Sequence, residues 1–182
     1  MSRIPTPATI DAAPAASRPQ LEAVKKQLGL VPNMFRLVAN SPAALEGYLG
    51  LNGALSKGQL DGRTRERIAM AVAELNGCDY CLSAHTYLGL NAAKISSEEI
   101  ALNRKGRSGD PTADAAVRFA TKVAEARGRV GDGDLQAVQA AGYSDGEVME
   151  IVLHVALNTL TNYVNEVAKT QIDFPVVTHR AK

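Results

Sequence analysis

The stretch GRTRERIAMAVAELNGCDYCLSAH, residues 62–85, decides the fold. Its first half opens behind Asp61, a residue type whose carboxylate accepts hydrogen bonds from the free N–H groups of a helix's first turn. It closes at Asn76-Gly77, where a glycine can turn left-handed and stop a helix. Between these signals Ile68 through Ala73 is an unbroken apolar run, so the helix is apolar on every side. Such a helix belongs at the centre of a domain or between subunits. The second half restarts after Gly77 and brings Cys78, Cys81 and His85 onto the next helix.

Helical punctuation continues outward in both directions. Ser41-Pro42 and Asp110-Pro111 each pair an N-cap with proline at the first helical position. Ser96 with Glu99, and Ser144 with Glu147, have the spacing of a capping box. Gly29, Gly58, Gly106 and Gly128 stand where helices are expected to stop. These signals predict helices over residues 18–28, 42–56, 62–75, 78–92, 97–104, 112–127, 132–141 and 145–170. The last carries Val148, Ile151, Val152, Val155, Leu160, Val164 and Val167 at helical spacing. Sustained period-2 alternation is missing and aromatic residues make up 4%, so strand evidence is thin. The expected class is all-α, a compact multi-helix domain.

A chain of 182 residues suits one domain with a sizeable core. Residues 21–175 are expected to form it, after an irregular Pro-, Ala- and Ser-rich arm over 1–20 and before a polar tail over 176–182. The arm is expected to lie on a neighbouring subunit or to stay mobile. Lys plus Arg number 20 against 19 Asp plus Glu, so no net field draws the protein to nucleic acid or to an anionic membrane. No run of ~18 apolar residues offers a membrane span, and the N-terminus lacks the apolar core of a secretory signal. A cytoplasmic location is expected.

The two cysteines sit three residues apart. A bridge between them closes too small a loop to staple a large fold, and a reducing cytosol puts a purely structural disulfide at risk. Their chemistry is therefore the more informative reading. With about 100° between successive helical residues, Cys78, Cys81 and His85 fall within an arc of roughly 60°, and His85 neighbours Cys81. Cα atoms at i and i+3 lie roughly 5–6 Å apart, within disulfide range. The free N–H groups at a helix start favour a thiolate, an argument that singles out Cys78. The adjacent imidazole can accept a thiol proton, an argument that singles out Cys81. Half a zinc site is the competing reading, but there is no second cysteine pair and the other histidines are remote, so neither metal nor cofactor is expected.

The remaining polar candidates read as structural. Glu66 sits among Arg63, Arg65 and Arg67, and an exposed pair with Arg63 is its default. His154 reads as a packed or paired core residue and His179 as solvated. Asn158, Asn162 and Asn165 form a polar stripe suited to bonding across a helix or subunit contact.

Glu66, Cys78-Asp79-Tyr80-Cys81 and His85, with the lead-in from Lys57 to Glu66 and the segment Gly29-Leu30-Val31-Pro32-Asn33, resemble the signature of the alkyl hydroperoxidase D-like family. That family shares its helical fold with the carboxymuconolactone decarboxylases. The resemblance spans about residues 25–175. It implies a thiol peroxidase in which Cys81 attacks the peroxide, Cys78 resolves the product, and His85 with Glu66 forms a proton relay. It also implies an organic hydroperoxide as substrate, a thiol or dithiol reductant of the peroxiredoxin or dihydrolipoyl type, and a trimer or a hexamer built from trimers. The best-known members carry a second histidine where this chain has Tyr80, a candidate hydrogen-bond donor but a poor base near neutral pH. A lactone-decarboxylase-like lyase and a non-enzymatic redox sensor are the alternatives.

Overall fold

The computed structural model describes residues 2–180. Among them there are helices and no strands: α1 (Arg18–Leu28), α2 (Asn33–Val38), α3 (Pro42–Leu55), α4 (Gly62–Asn76), α5 (Asp79–Asn91), α6 (Ser97–Asn103), α7 (Pro111–Glu125), α8 (Asp132–Ala140) and α9 (Asp145–Ala168). Each helix expected from the sequence is present, with ends shifted by at most a residue or two. Only α2 goes unanticipated, because six residues behind Pro32 are too few to show a period.

The punctuation acts as its chemistry requires. Asp61 Oδ1 accepts the N–H groups of Arg63 and Thr64 at 2.8 and 3.1 Å and starts α4. Ser144 and Glu147 close a reciprocal box at the start of α9. Gly77 ends α4 at φ 68°, a conformation costly for any residue with a Cβ. Gly58 has a different task from the stop expected of it. The helix before it ends at Leu55, and Gly58 packs against the Glu150 carboxylate, which a side chain there would push off the N–H groups of Gln59 and Leu60.

α4, apolar on every side from Ile68 to Ala73, lies at the centre, against α5, α7 and α9. One side of it joins Ile68 and Val72 to Val117 and Ala120 of α7 and to Ile151 and Val155 of α9. The other joins Ala73 to Leu21, Leu45 and Leu82, and this second cluster includes both cysteines. Each fully buried Leu or Ile contributes about 1.5–3 kcal/mol of transfer free energy.

Both chain ends lie on the domain. The arm runs over α2, where Arg36 and Asn40 donate to the carbonyls of Pro7 and Pro5, and Arg3 N–H reaches the end of α9 at Ala168. The tail is docked through backbone bonds, Val177 N–H to Ser83 Oγ and Arg180 N–H to Glu74 Oε1. Met1 of the expected arm, with Ala181 and Lys182 of the expected tail, lies outside the described residues. No helix among the described residues is long and apolar enough to cross a membrane.

Candidate active site

Cys78 is the N-cap of α5 and not its first helical residue, which corrects the purely helical geometry expected for the pair. Its Sγ accepts the N–H of Cys81 at 3.4 Å, so the two sulfurs sit on one turn. Both thiols are free and buried. Asn165 of α9 donates its side-chain N–H to Cys81 Sγ at 3.3 Å, across the helix contact. Asn162 accepts from Asn76 at 2.8 Å and ties α9 to the end of α4. Two members of the asparagine stripe thus bond across helices, one of them to sulfur.

These contacts treat the two thiols oppositely. The Cys81 pKa falls from 9.0 to about 6, first because the Cys78 thiol donates to it; burial opposes this, and the positive His85 with the amides of Asn165 and Asn162 assists. The Cys78 pKa moves up, through that same bond to Cys81, burial and the Cys81 charge. The helix N-terminus acts on Cys78 as expected, but a buried thiol beside a thiolate is not ionised by one N–H.

His85 faces Glu66, its Nδ1 2.8 Å from Oε2, with about a fifth of each side chain exposed. Glu66 pairs with this histidine and not with Arg63, whose Nε instead donates to the Ala93 carbonyl at 3.0 Å. Burial works against protonating His85, but the Glu66 carboxylate and the Cys81 sulfur together raise its pKa. Tyr80 does donate a hydrogen bond, though to Asp173 Oδ1 at 2.8 Å, while its oxygen accepts Met34 N–H at 3.1 Å. Its ring meets Phe174 edge-on at 5.9 Å. Tyr80 therefore anchors the tail to α5.

Cys81, His85 and Glu66 open onto one cavity of about 920 Å³ between α3, α4, α5 and α9. Leu49, Ala69 and Leu157 line it with Tyr48, whose hydroxyl pKa is raised by burial, then by Cys81 and Glu66 nearby. Sequence reasoning missed Tyr48, Asp173 and the tail. Nothing local marks them, since each acts by reaching another element. His179, expected to be solvated, puts Nδ1 2.7 Å from Asp79 Oδ1 and rests its ring near Gly77. No cluster of three or more His, Cys, Asp or Glu side chains among the described residues could hold a metal ion.

Residues 42–126 match the carboxymuconolactone decarboxylase family. A peroxidase-related protein with an alkylhydroperoxidase AhpD core from Ralstonia eutropha JMP134 superposes with a TM-score of 0.82 at 28% identity, over 94% of this chain and 92% of that one. A variant of the debrominase Bmp8 in complex with 2,3,4-tribromopyrrole shares the fold at TM-score 0.76 and 20% identity, over 92% and 90% of the two chains. An uncharacterised protein of Haemophilus influenzae is 40% identical over 63 residues, which are 34% of this chain and half of that protein's length.

Proposed function

We propose that the chain, whose residues 42–126 match the carboxymuconolactone decarboxylase family and whose fold matches an alkylhydroperoxidase AhpD core, is a thiol peroxidase that reduces organic hydroperoxides. One observation carries the reading: a buried thiol held toward its thiolate by a second thiol, beside a His85–Glu66 pair, on the wall of a large and mostly apolar cavity. Depressed thiol pKa, a resolving thiol and a nearby base are what peroxide reduction by cysteine needs.

In this reading the Cys81 proton passes to His85, whose imidazolium the Glu66 carboxylate stabilises. The thiolate attacks one peroxide oxygen and the O–O bond breaks. The alkoxide leaves, takes the proton from His85 and departs as the alcohol, while the sulfur becomes a sulfenic acid. Cys78 then attacks that sulfur, a disulfide forms and water leaves. Two electrons and two protons from an external dithiol, of the dihydrolipoyl or peroxiredoxin type, restore the pair. The cavity, far larger than a peroxide group, accounts for an organic substrate.

The test is hydroperoxide consumption with excess dithiol. Cys81→Ser abolishes it, while Cys78→Ser assayed without reductant consumes one equivalent and leaves a sulfenic acid visible by mass spectrometry. Full activity in Cys81→Ser refutes the assignment. A wild type that forms the disulfide but consumes no hydroperoxide favours the redox sensor. Lactone decarboxylation independent of both cysteines favours the lyase. Assembly belongs to the same proposal: Met149, Leu153, Ala156, Leu160, Tyr163 and Val167 are exposed at alternating four- and three-residue steps along α9, a seam suited to burial between copies. A trimer or hexamer by sedimentation supports it, and a monomer refutes it.

A further inference from the structure

The cavity has a second polar end, away from the sulfur. Asn165 bonds Cys81 Sγ and Asn162 bonds Asn76, so one end of the α4–α9 contact lies at the thiol. From there the two helices run together toward Arg65 of α4 and His154 of α9, both of which line the same cavity. His154 and Asn165 are eleven residues apart, roughly 16 Å of helix axis. The wall between the two ends carries Ala69, Leu157 and Leu49, with Asn158 and Thr161 whose side chains bond back to α9 carbonyls.

His154 is 6% exposed, and its Nε2 has no hydrogen-bond partner among the described residues. A buried, unpartnered ring nitrogen on a cavity wall is a group awaiting a ligand. Arg65 spends one N–H on the Leu55 carbonyl at 3.1 Å, and among the described residues no carboxylate lies within ion-pair distance of it, of Arg63 or of Lys94, which also line this end. The carboxylates nearby are already committed. Asp61 caps α4, Glu150 accepts the N–H groups of Gln59 and Leu60, and Glu66 holds His85. The result is a guanidinium with no carboxylate within ion-pair distance among the described residues, though the Glu150 charge reaches it, and a buried, unpartnered imidazole nitrogen at one end of a largely apolar channel, with the Cys81 thiol toward the other.

We propose that Arg65 and His154 bind the carboxylate of an amphipathic acid, and that the preferred substrate is a fatty-acid-like hydroperoxide. This inference rests on the peroxidase reading of Cys81. The guanidinium fork matches a carboxylate in two parallel bonds, and the neutral imidazole adds a third N–H donor. The distance sets the chain: the hydroperoxide stands on the order of ten carbons from the carboxylate, to span roughly 16 Å of axis less the reach of the side chains. Burial, with Arg65 nearby, lowers the His154 pKa to about 4 and keeps the ring neutral when no anion is bound.

Calorimetric titration with decanoate and with decanol tests the anchor without any hydroperoxide. Decanoate binds the wild type at least about tenfold more tightly than decanol, as a charge-assisted contact requires. That preference falls to near one in Arg65→Gln, returns in part in Arg65→Lys, and is reduced in His154→Leu. Circular dichroism melts of the variants identify any that fail to fold, and the wild-type comparison stands without them. The second readout is the KM ratio between a carboxylate-bearing hydroperoxide and its methyl ester, which favours the acid in wild type and collapses in Arg65→Gln. Equal binding of decanoate and decanol overturns the anchor. Equal KM values with both hydroperoxides consumed overturn the anchor and leave the peroxidase intact. Decanoate preference without turnover of any hydroperoxide supports the anchor and overturns the peroxidase.

Discussion

Replacing Cys78 with alanine removes the largest influence on the Cys81 thiol. The Cys78 thiol is the first cause that takes the Cys81 pKa from 9.0 to about 6. A shift of that size corresponds to about 4 kcal/mol at 1.36 kcal/mol per unit. Without the donor, burial opposes ionisation and only His85 and the two asparagine amides remain in favour. The Cys81 midpoint therefore moves up toward or beyond the ordinary thiol value. At pH 7 the thiolate fraction falls from about nine-tenths to about one-hundredth, going from pKa 6 to 9. A thiolate of higher pKa is also the better nucleophile, by a Brønsted slope of about 0.4–0.5, which returns roughly 15–30-fold of the roughly ninety-fold loss. Rate at one pH is thus a blunt readout, and the midpoint of the pH profile is the sharp one. Alkylation by iodoacetamide across pH, checked by thiolate ultraviolet absorbance, gives a midpoint near 6 in wild type and one several units higher in Cys78→Ala. Cys78→Ser keeps a hydroxyl donor and falls between. A wild-type midpoint at the ordinary thiol value, or one unmoved in Cys78→Ala, refutes the mutual activation of the pair.

Ile151→Ala empties a fully buried position between α4, α7 and α9, and costs about 2–5 kcal/mol as a lower urea midpoint at unchanged slope; a loss under about 1 kcal/mol contradicts the packing. Gly77→Ala forces a Cβ to φ 68° and destabilises by about 1–2 kcal/mol in the same assay, whereas an unaffected midpoint argues against the left-handed cap. For His154 the folded pKa of about 4 lies below the ordinary 6.5, so between those values the unfolded chain binds more protons. Stability falls as pH drops through that window, by up to about 3 kcal/mol, and His154→Leu flattens that part of the curve. Glu66→Gln removes the carboxylate that raises the His85 pKa, so an NMR titration of the ring shows a lower midpoint; no movement separates the pair.

The central helix, eight of the nine helix positions and their caps were legible in residues 18–170, because apolar periodicity and capping chemistry are local properties. The Cys78–Cys81–His85 spacing was legible for the same reason, and the family resemblance pointed to Glu66. What the sequence by itself determined is therefore the all-helical fold and the placing of a closely spaced cysteine pair with a histidine at the start of the helix after α4. Which cysteine is inclined to ionise was only half in the spacing, since the local dipole argument pointed to Cys78 while the His85 neighbour and the family resemblance pointed to Cys81. In the tertiary structure both thiols are buried, and the balance falls to Cys81 because the Cys78 thiol donates to it and Asn165 reaches it across from α9, with His85 a turn away. The tail on Asp79, the partner of Tyr80 and the polar end at Arg65 and His154 were equally invisible. Each arises between residues far apart in the chain, where the energies come from desolvation and from charges that only packing brings within reach.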